Sequence, residues 1–85
     1  KCPNQHLQLA SLHNNIGIAY SELRQYDRAL SSLRTALQIR LKHLPEDHLD
    51  VARSFANIGT VYVKTNEHSM AADYFTKAKN LLEKQ

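Results

Sequence analysis

Five histidines are the first residues in this chain with chemistry to offer, and their spacing argues against a metal. His6 and His13 stand seven apart, about two helical turns, and His43 and His48 flank Pro45. Helical zinc motifs pair histidines at i and i+4 on one face, and structural sites draw on clusters of cysteine. Neither arrangement is present, since Cys2 is the sole cysteine. No bound metal and no cofactor are expected. Because His6 and His48 fall at the same phase of a pattern that recurs 42 residues on, they read as residues that shape helix starts.

Catalysis is no better supported. Serine, histidine and aspartate all occur, but nothing in their spacing gathers a nucleophile, a base and an acid. Gly17 and Gly59 fall inside helical stretches and make no phosphate-binding loop. The chain therefore reads as a non-enzyme. Its net charge of +3 is uneven: residues 1–42 carry six Lys/Arg against two Asp/Glu, and residues 43–85 five against six. A basic half can favour an acidic partner, but a solvated helix surface is the favoured reading. Mild basicity and four tyrosines are thin grounds for nucleic acid, and Tyr20 and Tyr62 are better read as packing residues. No apolar run approaches the ~18 residues of a membrane span, and no basic-then-apolar leader opens the sequence. A lone cysteine forms no internal disulfide and fits a reducing, cytoplasmic setting.

The elements that must position any binding surface are written twice. "NNIGIAY" at residues 14–20 returns as "ANIGTVY" at residues 56–62. A shift of 42 also matches Pro3 with Pro45, His6 with His48, Leu7 with Leu49, Ala10 with Ala52, Ala29 with Ala71 and Ala36 with Ala78. A fixed period of this size marks a repeat architecture. Within each unit, apolar residues recur every three or four positions: Leu9, Leu12, Ile16, Tyr20 and Leu23, then Tyr26, Ala29, Leu30, Leu33, Ala36, Leu37, Leu41 and Leu44. Those are helical stripes, and no strand-like alternation is sustained. Four helices follow, at about 6–23, 26–44, 48–65 and 68–84. Pro3 and Pro45 precede the first helix of each unit, and Pro45 should end the helix before it. Glu46 and Asp47 suit the positive end of the third helix. Turns fall near Leu23–Gln25 and Thr65–Glu67, where Asn66 accepts a left-handed conformation readily and Arg24 does so poorly. Short connections make neighbouring helices antiparallel.

Gly17 and Gly59 each weaken a helix by about 1 kcal/mol relative to alanine, so something must offset them. Small residues let helices approach closely. Gly17, Ala29 and Ala36 then form recesses that Tyr20 and Leu33 flank and fill. Ile16, Gly17 and Tyr20 followed by Ala29, Leu33 and Ala36, and again Phe55, Ile58, Gly59 and Tyr62 followed by Ala71, Phe75 and Ala78, resemble the tetratricopeptide repeat. His13 departs from the pattern, standing where that family carries a large apolar residue. The usual period is 34 residues. The period of 42 here, with "ALQIRLKHLPEDHLDVA" at residues 36–52, is similar to the repeats of kinesin light chains and related scaffolds. The resemblance implies an all-α fold of two tandem helix-turn-helix units, about 6–44 and 48–84, in a short right-handed solenoid occupying residues 1–85 as one domain.

It also implies a function. The first helix of each unit lines a concave surface that takes an extended or helical peptide. Asn15 and Asn57 match the position whose amide holds a ligand backbone, and an amide supplies the needed donor and acceptor together. The alternative for each Asn is a bond to the adjacent helix or to water. Asn14 and Ile18 flank Asn15 on the same face, and Arg53, Thr60 and Lys64 flank Asn57. That surface would be mixed, with Arg53 and Lys64 favouring a partly acidic ligand. Asn14 and Ala56 stand where a clamp lysine for an acidic C-terminal tail would be sought, so that mechanism is not expected. Solenoids usually stack three or more units and end in a polar cap. Two units therefore suggest a piece of a longer array, with exposed ends prone to self-association. The competing reading is a structural, self-associating array with no groove ligand.

Overall fold

The computed structural model describes residues 3–45 and 47–83, with side chains from residue 5 onward. Cys2 and Glu46, and the last residue expected in the second unit, Lys84, lie outside the described residues. Four helices follow in order: α1 Pro3–Glu22, α2 Tyr26–His43, α3 Leu49–Lys64 and α4 His68–Glu83. The first starts earlier than its stripe implies because Pro3 opens it. A proline's fixed φ and missing N–H suit the first helical position. Helices α1 and α2 pack as one hairpin, α3 and α4 as a second, and α2 against α3 joins them. The Cα atoms fill a slab of 40 × 27 × 13 Å, so no helix is enclosed on all sides.

Both hairpins turn by the same device. Gln25 N–H donates to Tyr20 O at 2.9 Å and Arg24 N–H to Ser21 O at 3.0 Å. Glu67 N–H donates to Tyr62 O at 2.9 Å and Asn66 N–H to Val63 O at 3.0 Å. These paired bonds form the helix-ending motif that needs a left-handed residue at its corner. Arg24 and Asn66 supply it, each with φ 66°. Asn66 is the expected choice. Arg24 adopts the same conformation despite its side chain, because the two backbone bonds fix it.

Pro45 ends α2 as the sequence predicts. Leu44, the residue before it, is extended at φ −125°, ψ 156°. His48 then caps α3, its Nδ1 accepting from Asp50 N–H at 3.0 Å. His6, its counterpart, does something else: its ring stacks on His43 with centroids 4.5 Å apart. Equal phase therefore does not give these two histidines one role.

The small residues do what their recurrence suggests. Ala10, Ala29, Ala36, Ala52, Ala71 and Ala78 are all buried. A Cβ added at Gly17 would meet Leu33 Cγ at 2.7 Å and Ala29 O at 3.1 Å. At Gly59 it would meet the Phe75 ring at 3.2 Å. Each glycine is thus the recess for the large residue of the facing helix. In the second unit Phe55 and Tyr74 add a tilted ring pair with centroids 6.1 Å apart, and Lys77 lies over both rings. His13 takes Phe55's place in the first unit and is half-buried.

The seam between hairpins is apolar with a polar pin. Val51, Ile58 and Val61 of α3 pack in one cluster with Leu33 and Leu37 of α2. Arg40 is buried there, and its Nη1 donates to Ser54 Oγ at 2.8 Å and to the Asp50 carbonyl at 3.3 Å. Burial pushes its guanidinium below the ordinary value, opposed by the Asp50 charge and reinforced by Arg53. Arg34 Nη2 also donates across the seam to the Tyr62 hydroxyl.

Candidate functional site

Helices α1 and α3 lie side by side, and the faces they turn away from α2 and α4 form one surface. Three or four residues separate neighbours along a helical face. On α1 that row is Asn15, Ile18 and Glu22; on α3 it is Arg53, Asn57, Thr60 and Lys64. Asn15, Glu22, Arg53, Thr60 and Lys64 are exposed, Ile18 is partly so, and Asn57 is half-buried.

The two repeated asparagines differ. Asn57 Nδ2 donates to Asn14 Oδ1 at 2.9 Å, which ties α3 to α1. Asn14 is buried and belongs to the seam rather than to the open surface. Asn15 stays open. The difference is positional: α3 has α1 on its preceding side, where Asn57 finds an amide. The bond uses one acceptor of Asn14 and one donor of Asn57, so Asn57 Oδ1 keeps its lone pairs. Arg53 Nη1 lies 3.5 Å from Asp50 Oδ1, an exposed pair of small energetic weight. The Thr60 hydroxyl donates to the Ala56 carbonyl at 3.0 Å, so its hydrogen is spent within its own helix.

Lys64 leads to a feature the sequence reading did not assemble. At the turn end of the row, Ser21, Glu22, Arg24, Tyr26 and Lys64 line one polar recess. Ser21 Oγ is buried and, among the described residues, has no hydrogen-bond partner. Such groups are uncommon in folded proteins and need an explanation. The sequence treated Arg24 only as an awkward turn residue. Its left-handed backbone sets it beside α1 and α3, a placement that no periodicity announces. A second recess, apolar, lies between Leu41, Phe55 and Leu81 with Lys77 and Asn80 at its rim.

Among the described residues, no three His, Cys, Asp or Glu side chains gather as a metal would require. None of the described helices is long and apolar enough to cross a membrane.

A stack of paired helices with glycine recesses and a shared inner face defines a helical repeat protein. Residues 7–84 match the tetratricopeptide repeat family, and the chain belongs to it. Repeats of this family generally mediate protein–protein interaction. The chain is also similar to response regulator aspartate phosphatase I of Bacillus subtilis (strain 168), with 32% identity over 80 residues. That alignment covers 94% of this chain and 19% of the relative, so the chain spans under a fifth of the relative's length.

Proposed function

We propose that the α1–α3 face binds a peptide segment of a partner protein. The observation that carries this is the polar recess at its turn end, lined by Arg24 and Lys64 together with Ser21, whose buried hydroxyl has no hydrogen-bond partner among the described residues. Asn15, with Asn57 Oδ1, would hold the peptide backbone, because an amide matches a peptide group donor for acceptor. Ile18, 38% exposed, would take a small apolar side chain. Arg53, Arg24 and Lys64 favour a ligand that is partly acidic, with Glu22 limiting how much negative charge is welcome. In this reading the chain recognises and does not catalyse, uses no cofactor and works in the cytoplasm. The 42-residue period keeps the likeness to kinesin-light-chain scaffolds within the proposal. The name of the bacterial relative makes a response regulator one partner class to try. A second reading, association between copies, rests on the end faces and not on this row.

The test is selection from a displayed peptide library, repeated with Asn15→Ala and Lys64→Glu. Both residues are exposed, so helicity by circular dichroism should be unchanged. Enriched peptides should bind each variant about tenfold more weakly or worse, a loss of about 1.4 kcal/mol. No enrichment, or enrichment indifferent to both changes, would overturn the proposal.

A further inference from the structure

The recess at the turn end of the α1–α3 row gathers charges that the chain leaves unanswered. Ser21, Glu22, Arg24, Tyr26 and Lys64 line it. Among the described residues, the side chains of Glu22, Arg24, Tyr26 and Lys64 enter no hydrogen bond and no ion pair. Ser21 is 6% exposed, and its buried hydroxyl has no partner among them either. Cations elsewhere are engaged. Arg53 lies 3.5 Å from Asp50, Lys79 lies 3.8 Å from Glu83, and Arg40 donates to Ser54 at 2.8 Å. Glu22 shares the recess with two cations and pairs with neither.

We propose that this recess takes one carboxylate of the bound peptide, resting on the reading that the α1–α3 row binds a peptide. The carboxylate comes from an Asp or Glu side chain or from the chain end. Charge decides the class. Arg24 and Lys64 against Glu22 leave one positive charge, which a single carboxylate balances. A phosphate monoester carries nearly two negative charges at neutral pH, and the second would face Glu22 uncompensated. The guanidinium of Arg24 offers parallel N–H groups to the two carboxylate oxygens, and Lys64 adds a point charge. The hydroxyls of Ser21 and Tyr26 are further donors on the same wall.

The placement also orients the ligand. Arg53, on the other side of Asn57 along the row, is already paired with Asp50, so the acid belongs toward the turn. Lys64 stands seven positions beyond Asn57 on α3. That is ~10 Å of helix, about three residues of an extended peptide.

Titration of the isotopically labelled chain with small probes, followed by backbone amide shifts in NMR, reads the recess alone. Acetyl-Gly-Glu-Gly-amide presents a side-chain carboxylate, and acetyl-Gly-Gly-Gly with a free carboxyl presents a chain end. Acetyl-Gly-Gln-Gly-amide is the neutral control, and inorganic phosphate is the competing anion. At least one carboxylate probe should shift Ser21, Glu22, Arg24 and Lys64, and the tighter of the two names the source. The Gln probe should leave these amides in place, and phosphate should bind more weakly. Lys64→Gln and Arg24→Gly should each weaken the carboxylate about threefold or more, the weight of one exposed charge contact. Ser21→Ala should weaken it by a similar factor, with circular dichroism confirming the fold. Equal shifts with the Gln probe, tighter binding of phosphate, or an affinity unmoved by both charge variants would overturn the proposal. The probes carry no sequence selected on the row, so their failure leaves peptide capture standing, and a failed library selection leaves the recess result standing.

Discussion

The two hairpins turn by the same backbone motif and are finished differently. In the first, Leu33 sits in the Gly17 recess and is then covered by α3, so it is buried on every side. In the second, Phe75 sits in the Gly59 recess with its outer side open. The same contrast runs through Arg40, which is buried and pinned to Ser54, and Leu82, which is 46% exposed. A repeat unit thus specifies its own turn and its own recess. What differs is what the neighbour must complete. Arg40 with Leu82 and Leu33 with Phe75 differ in residue type where the second hairpin's copy is left open, while Ile16 and Ile58 stay alike across the same contrast.

Substitutions that exploit this contrast should differ most at the seam. Arg40→Ala removes the guanidinium and leaves the Ser54 hydroxyl buried without a partner, which should cost about 3 kcal/mol in urea unfolding. Leu82→Ala at the matching place should cost under about 1 kcal/mol, because that side chain is half in solvent already. Removing both members of the pair, with Arg40→Leu and Ser54→Ala, should return stability to near the wild-type value.

The glycines come next. Gly17→Ala drives a methyl group to 2.7 Å from a locked Leu33 and 3.1 Å from the Ala29 backbone. The clash should outweigh the helical gain of alanine, for a net loss of about 2 kcal/mol by thermal melting. Gly59→Ala meets a ring edge at 3.2 Å whose owner can tilt outward, and should stay within about 1 kcal/mol of wild type. Equal losses at the two sites would mean that Phe75 is held as firmly as Leu33.

Smaller effects separate the asparagines and the turn corners. Asn57→Ala strands the buried Asn14 carbonyl and should cost about 1–2 kcal/mol, whereas Asn15→Ala should change stability by less than about 0.5 kcal/mol. Glycine is the natural left-handed residue, so Arg24→Gly should raise the melting point by the equivalent of about 1 kcal/mol. Asn66→Gly should gain about half that, as asparagine tolerates the conformation better.

Much of the architecture can be read from the sequence because packing periodicity is a one-dimensional signal. Gly17 with Leu33, and Gly59 with Phe75, are legible as small residues facing large ones. Pro45 is legible as a stop, and the helix bounds follow to within a few residues. The site is less legible. Asn15 and Asn57 are identical in sequence phase and unequal in space, because Asn57 bonds Asn14 of α1 while Asn15 is exposed. Asn14 looks like a groove residue by spacing and is buried by a contact 43 positions away. Ser21, Arg24 and Lys64 are brought to one recess by a turn conformation that arginine does not advertise. Local pattern records what a unit does within itself, and contacts between units have to be seen.

The central claim is that the α1–α3 row is the recognition surface. Titrating the isotopically labelled chain with an enriched peptide, and following backbone amide shifts by NMR, tests it most directly. The account predicts perturbations that follow Asn15, Ile18, Glu22, Arg53, Asn57, Thr60 and Lys64 and extend into Ser21 and Arg24. Perturbations confined to the apolar recess of Leu41, Phe55 and Leu81, or to the end faces at Leu12 and Leu82, would contradict it.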